Sequence, residues 1–203
     1  MRRLVIALCA VVLALSGCAN ATDRGLQPGR ADVDVDTPKL RQLKQAAGVE
    51  ACAPGAGEAV EGGLPDVTLA CLGGGPDVEL GSLRGPMVVS LWASWCTACR
   101  KEMPQLQAFH ERYGDQVPVL GVDYQDVRPD AAMELVRDTG ATYPLLADPQ
   151  SELDGAAPFP ALRGLPFLAL IDQDGRVVHQ EFTIITSEQQ LVDLVDEHLG
   201  VAL

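Results

Sequence analysis

The run Trp95-Cys96-Thr97-Ala98-Cys99 follows directly on the apolar stretch Met87-Val88-Val89-Ser90-Leu91-Trp92-Ala93. An apolar run of that length reads as a strand buried on both faces, and a helical pattern begins at Thr97. A Cys-x-x-Cys pair at a strand-to-helix junction is a dithiol that can open, close and attack other disulfides. Cys96 falls at the helix N-terminus. Unpaired N–H groups and the positive end of the macrodipole favour an anion there, so a lowered thiol pKa is expected. The thiolate is the nucleophile of disulfide exchange. Cys99 lies one turn further in, placed to close a small ring.

Other uses of the pair fit less well. A zinc site needs four ligands, and His110, His179 and His198 form no His-x3–5-His pair. A c-type haem attachment needs His after the second cysteine, where Arg100 stands. The expectation is no metal.

The N-terminus reads as an export signal. Met1-Arg2-Arg3 is basic, and the apolar run from Leu4 to Leu15 is short for a bilayer span and suited to a signal peptide. Its end, Leu15-Ser16-Gly17-Cys18, resembles a bacterial lipobox. The resemblance implies that residues 1–17 are removed and that Cys18 carries two acyl chains, enough for stable anchoring. Alternatives are an ordinary signal peptide or a retained anchor helix. Residues 18–50 read as a tether, with a short helix possible from Thr37 to Ala47. Residues 51–203 make one domain, long enough for a good core.

The remaining cysteines divide by position. Cys9 leaves with the signal. An oxidising milieu outside the cytoplasm makes Cys52–Cys71 the expected structural disulfide. Two reduced buried cysteines, or a second redox pair, are the alternatives. The formal net charge is −13. No basic stripe is present, which argues against nucleic acid and against electrostatic docking on anionic lipid.

The pattern from residue 64 onward is α/β with a mixed sheet. Asp66–Cys71 and Asp77–Leu80 read as a hairpin about Gly73-Gly74-Gly75-Pro76. Strands follow at 87–93, 117–123, 143–147, 167–172 and 176–183. Helices are expected at 97–113 and 129–139, a short one at 149–156, and a last one capped by Ser187 with Gln190 at the capping-box position.

Together these residues resemble the thioredoxin superfamily, and within it the TlpA/ResA-type extracytoplasmic thiol–disulfide oxidoreductases. The resemblance rests on Leu91-Trp92-Ala93-Ser94-Trp95-Cys96-x-x-Cys99, Arg100-Lys101-Glu102-Met103-Pro104, Gly121-Val122-Asp123, Gly164-Leu165-Pro166 and Leu170-Ile171-Asp172-x-Asp174-Gly175. It implies a thioredoxin-like fold: a mixed central sheet flanked by helices, with an N-terminal β-hairpin and a central βα insertion. It also implies roles. Cys96 attacks and Cys99 resolves. Pro166 takes the cis-proline position facing the dithiol. Pro104 kinks the active-site helix. Glu102 lines the active-site cavity and moves a proton for Cys99, the alternative being an exposed glutamate beside Arg100 and Lys101. Trp95, Leu165 and Phe167 line a substrate groove made apolar by Phe167.

The chain departs from the pattern at two places. Ala98 stands where relatives usually carry Pro, so Thr97-Ala98 leaves the redox direction open. Ser90 stands where thioredoxins proper have a buried Asp, which favours Glu102 as proton carrier.

The resemblance implies a lipid-anchored reductase on the extracytoplasmic face of the bacterial cell membrane, acting on disulfides of exported proteins such as apocytochrome c. A membrane thiol carrier would supply electrons, since nothing here binds flavin or nicotinamide. A monomer is expected. The alternatives are a dithiol oxidase of exported proteins and a copper- or client-binding module on the same fold. A peroxidase reading is poor, because Thr97 lies one residue too close to Cys99 for a Thr-x-x-Cys pattern.

Overall fold

The computed structural model describes residues 32–203. The expected signal peptide, Cys18 and the first part of the tether lie outside the described residues.

The chain runs from α1 (Pro38–Ala47) into the hairpin β1 (Thr68–Cys71) and β2 (Val78–Glu79). It continues through β3 (Met87–Trp92), α2 (Thr97–Tyr113), β4 (Val119–Tyr124), α3 (Pro129–Thr139) and β5 (Leu145–Asp148). The hairpin β6 (Phe167–Ile171) and β7 (Val177–Glu181) and the helix α4 (Glu188–Leu199) complete it. The strands form one sheet in the order β2-β1-β5-β4-β3-β6-β7. β3 runs parallel to β4, and β4 to β5. β1 and β6 join antiparallel on either side, each carrying its hairpin partner at the edge.

β3, β4 and β6 are buried along their whole length, as central strands covered on both faces must be. Alternation along β3 sends Val88 and Trp92 into one apolar cluster and Val89 and Leu91 into the other. Buried residues of all four helices join the first cluster. The second is closed by irregular segments through Leu64, Leu153, Phe159 and Leu162.

Two expectations change. Residues 32–50, read as tether, belong to the folded body. Val35 and Leu40 are buried, Thr37 Oγ1 accepts from the Leu40 N–H at 3.2 Å, and Gly48 ends α1 at φ 71°. The reason is that Leu40, with Leu43 and Ala47 packed on the same apolar cluster, makes the stripe that an amphipathic helix needs. Lys44 is buried with it, its Nζ donating to the Gly74 carbonyl at 2.9 Å. The short helix expected at 149–156 is instead a series of turns organised by Asp148, whose carboxylate accepts from the Glu152 and Leu153 N–H groups at 2.8 and 3.0 Å.

Candidate active site

The dithiol stands where β3 hands over to α2. Cys96 is the N-cap of α2, and its Sγ accepts from the Cys99 N–H at 3.0 Å. Cys96 and Cys99 are joined as a disulfide. Cys96 is 7% exposed and Cys99 0%. Both are buried, Cys96 slightly less than Cys99, and the Cys96 Sγ is the one positioned among orphan helix N–H groups.

The loop before Cys96 is pinned from the segment that follows β4. Asp126 accepts from the Ser94 N–H at 2.7 Å and from the Arg128 N–H at 2.9 Å. The half-exposed Trp95 donates its Nε1–H to the Gln125 carbonyl at 3.3 Å. Nothing in the sequence pattern marked Asp126, because an Asx-type contact between two loops has no fixed spacing.

Glu102 lies one turn beyond Cys99 on α2 and is 1% exposed, so it is not a surface partner of Arg100 or Lys101. Ser90 Oγ donates to Oε1 at 3.0 Å, and the Ile185 N–H donates to Oε2 at 3.0 Å. Burial pushes this carboxyl up to about 7, against the opposing pull of those two donors. Ser90 was marked in the sequence as a departure from Asp. Ile185 was not, since its contribution is a backbone group that every residue but proline carries. Asp123 on β4 is buried too, with Oδ1 unpartnered, and burial followed by the charge of Asp126 drives its pKa well upward.

The Leu165–Pro166 peptide is cis. Residues Arg163 to Pro166 and Phe182 to Ile184 line an open groove of about 570 Å³. Leu165 is among the lining residues. Phe167 is not. It is 1% exposed and packs edge-on to Phe159 at 5.1 Å and tilted against Phe182 at 5.0 Å. As the first residue of a central strand it turns inward, and the apolar groove surface comes instead from Phe182 and Ile184, 49% and 41% exposed. Cys52 and Cys71, the other expected pair, are joined as a disulfide remote in sequence from the dithiol. Among the described residues no cluster of three or more metal-ligating side chains occurs.

Comparison with known proteins places this geometry. The AhpC/TSA family model matches residues 60–180. A relative named thiol-disulfide oxidoreductase ResA, from Bacillus thuringiensis, is 32% identical over 104 residues, which are 50% of this chain and 57% of that protein. Another named thiol:disulfide interchange protein HelX, from Rhodobacter capsulatus, is 33% identical over 45% of this chain and 48% of its own length. The chain thus spans about half the length of these relatives. A solved DsbF homologue from Corynebacterium diphtheriae superposes with a TM-score of 0.58 at 25% identity, covering 74% of this chain and 99% of its own. The fold is thioredoxin-like.

Proposed function

Because the chain belongs to the AhpC/TSA family and resembles proteins named thiol-disulfide oxidoreductase and thiol:disulfide interchange protein, we propose that it exchanges disulfides with exported proteins through Cys96 and Cys99. The observation that carries the reading is the placing of the disulfide-bonded pair: Cys96 caps α2 with its Sγ accepting a helix N–H, and Cys99 lies one turn further in and is fully buried.

In the reduced protein the Cys96 thiolate attacks a client disulfide sulfur. A mixed disulfide forms and one client thiolate leaves. Cys99 then gives its proton to the Glu102 carboxylate, and its thiolate attacks Cys96 Sγ. The second client thiolate departs, and the Cys96–Cys99 disulfide closes. Two electrons have passed to the client, and a thiol donor outside the chain restores the dithiol. A carboxyl titrating near neutrality is suited to this transfer, since it both takes and returns a proton at ambient pH. The groove beside Pro166 holds the client segment, with Leu165, Phe182 and Ile184 as its apolar contacts.

The same reading places the protein on the outer face of the cell membrane through acylated Cys18, as a reductase that serves the disulfides of apocytochrome c or similar clients and draws electrons from a membrane thiol carrier. Cys18→Ala then shifts the protein from the membrane to the soluble fraction; an unchanged distribution would point to a retained anchor helix.

The decisive experiment is to present a disulfide client to single-cysteine variants. Cys96→Ser abolishes exchange, whereas Cys99→Ser accumulates a mixed disulfide through Cys96. Turnover retained in Cys96→Ser would overturn the mechanism. Direction is read from the reduction potential of the pair: near or below about −250 mV it is a reductant, and near about −120 mV an oxidant of exported thiols.

A further inference from the structure

Glu102 is gripped by two donors of different character. The Ile185 N–H at Oε2 can only donate, so a proton arriving on this carboxyl goes to Oε1. There it meets Ser90, whose hydroxyl carries lone pairs as well as a hydrogen. We infer that Ser90 is a positioning residue for the exchanged proton, donating to Oε1 of the carboxylate and accepting from Oε1–H of the acid. This rests on the reading of Glu102 as the proton carrier.

The placement suits the task. Ser90 is 0% exposed in the middle of β3, paired with Gly121 of β4 on one side and Leu168 of β6 on the other. Its backbone is therefore held by a strand on each side. It shares its sheet face with Val88 and Trp92, the face on which α2 lies. Cys96 and Cys99 precede Glu102 on α2. Tyr143, in the segment before β5, is raised first by its own burial and then by the Glu102 charge. Asp123 of β4, on the same sheet face, is raised first by burial and then by Asp126. Burial and the two donors set the proton affinity of Glu102, without a cation.

The sign follows. Removing the Ser90 hydroxyl deprives the carboxylate of a charge-assisted bond and the acid of a neutral one, and the first is the stronger. The neutral acid gains. Ser90→Ala leaves a smaller side chain in the same strand and should raise the Glu102 midpoint by about one pH unit, a tenfold change in proton affinity. Ser90→Thr, which keeps the oxygen, should bring it back.

The test is the 13C titration of the Glu102 side-chain carboxyl in the full chain, followed by the pH profile of disulfide exchange for wild type, Ser90→Ala, Ser90→Thr and Glu102→Gln. A midpoint and a rate profile that move up together in Ser90→Ala and return in Ser90→Thr support the inference. An unmoved midpoint in Ser90→Ala, or Ser90→Thr behaving like Ser90→Ala, overturns it while the carrier reading stands. A Glu102→Gln profile identical to wild type instead removes the carrier reading, and the inference with it.

Discussion

Glu102 in the folded chain titrates near 7, whereas its ordinary value is 4.5, and burial is the main cause. The fold therefore prefers the neutral acid. Stability associated with this group is fully present below about pH 4.5 and is lost as pH rises through about 7. The loss is on the order of 3 kcal/mol. Glu102→Gln, similar in shape and neutral at every pH, should flatten this part of the curve. Urea unfolding at pH 5 and pH 8 is expected to show the variant losing less stability than wild type between the two. Equal losses would mean that the folded carboxyl is not raised. Asp123 is shifted in the same direction and is present in both proteins, so the difference isolates Glu102. Legibility from sequence at this scale was uneven. The position of Glu102 three residues after Cys99 was plain, but its burial was not, because an exposed helix glutamate has the same spacing. Phe167 failed for a related reason: adjacency to Pro166 in sequence does not say which sheet face its ring will take.

α1 is the element whose status changed most. Its sequence carries a cap and a stop: Thr37 followed by Pro38 at the first turn, and Gly48 in the left-handed conformation at its end. Such signals permit a helix without saying whether it docks. Docking comes from Leu40 in the apolar cluster, from Lys39 Nζ at 2.6 Å from Asp130 of α3, and from buried Lys44. The Lys39–Asp130 pair is exposed at both ends and adds little. Leu40 is the anchor. Leu40→Ala should cost about 2–4 kcal/mol, read as a lowered urea midpoint for the whole domain. A change below about 0.5 kcal/mol, the size ordinary for surface sites, would mean that α1 is not docked in solution. In contrast the span of α2 was legible from its cysteine cap to Tyr113, because those signals are local.

Among the described residues the sheet separates two apolar clusters, and the four α-helices cover the first. The other relies on irregular segments, and the Cys52–Cys71 disulfide ties one of them to β1 across a separation of 19 residues. In the chain-entropy account a loop of this size is worth about 3 kcal/mol. The double variant Cys52→Ala/Cys71→Ala, with Cys96–Cys99 intact, should lose about that much in chemical unfolding and keep its exchange activity. An equal loss of activity would mean that the disulfide shapes the site as well as the fold.

What the amino-acid sequence determined by itself is what can be written within one element or its immediate neighbours: a dithiol at a strand–helix junction, the order of strands and helices apart from 149–156, the Ser187 cap, and the reach of α2. What tertiary structure alone decided is what draws on distant groups. The donors to Glu102 are 12 and 83 residues away, the groove joins 163–166 to 182–184, and α1 found its seat against α3 and the β1 hairpin. Side-chain periodicity records which face is apolar, but a backbone N–H is the same at nearly every position. Only the folded chain selects which of them meets a buried carboxylate.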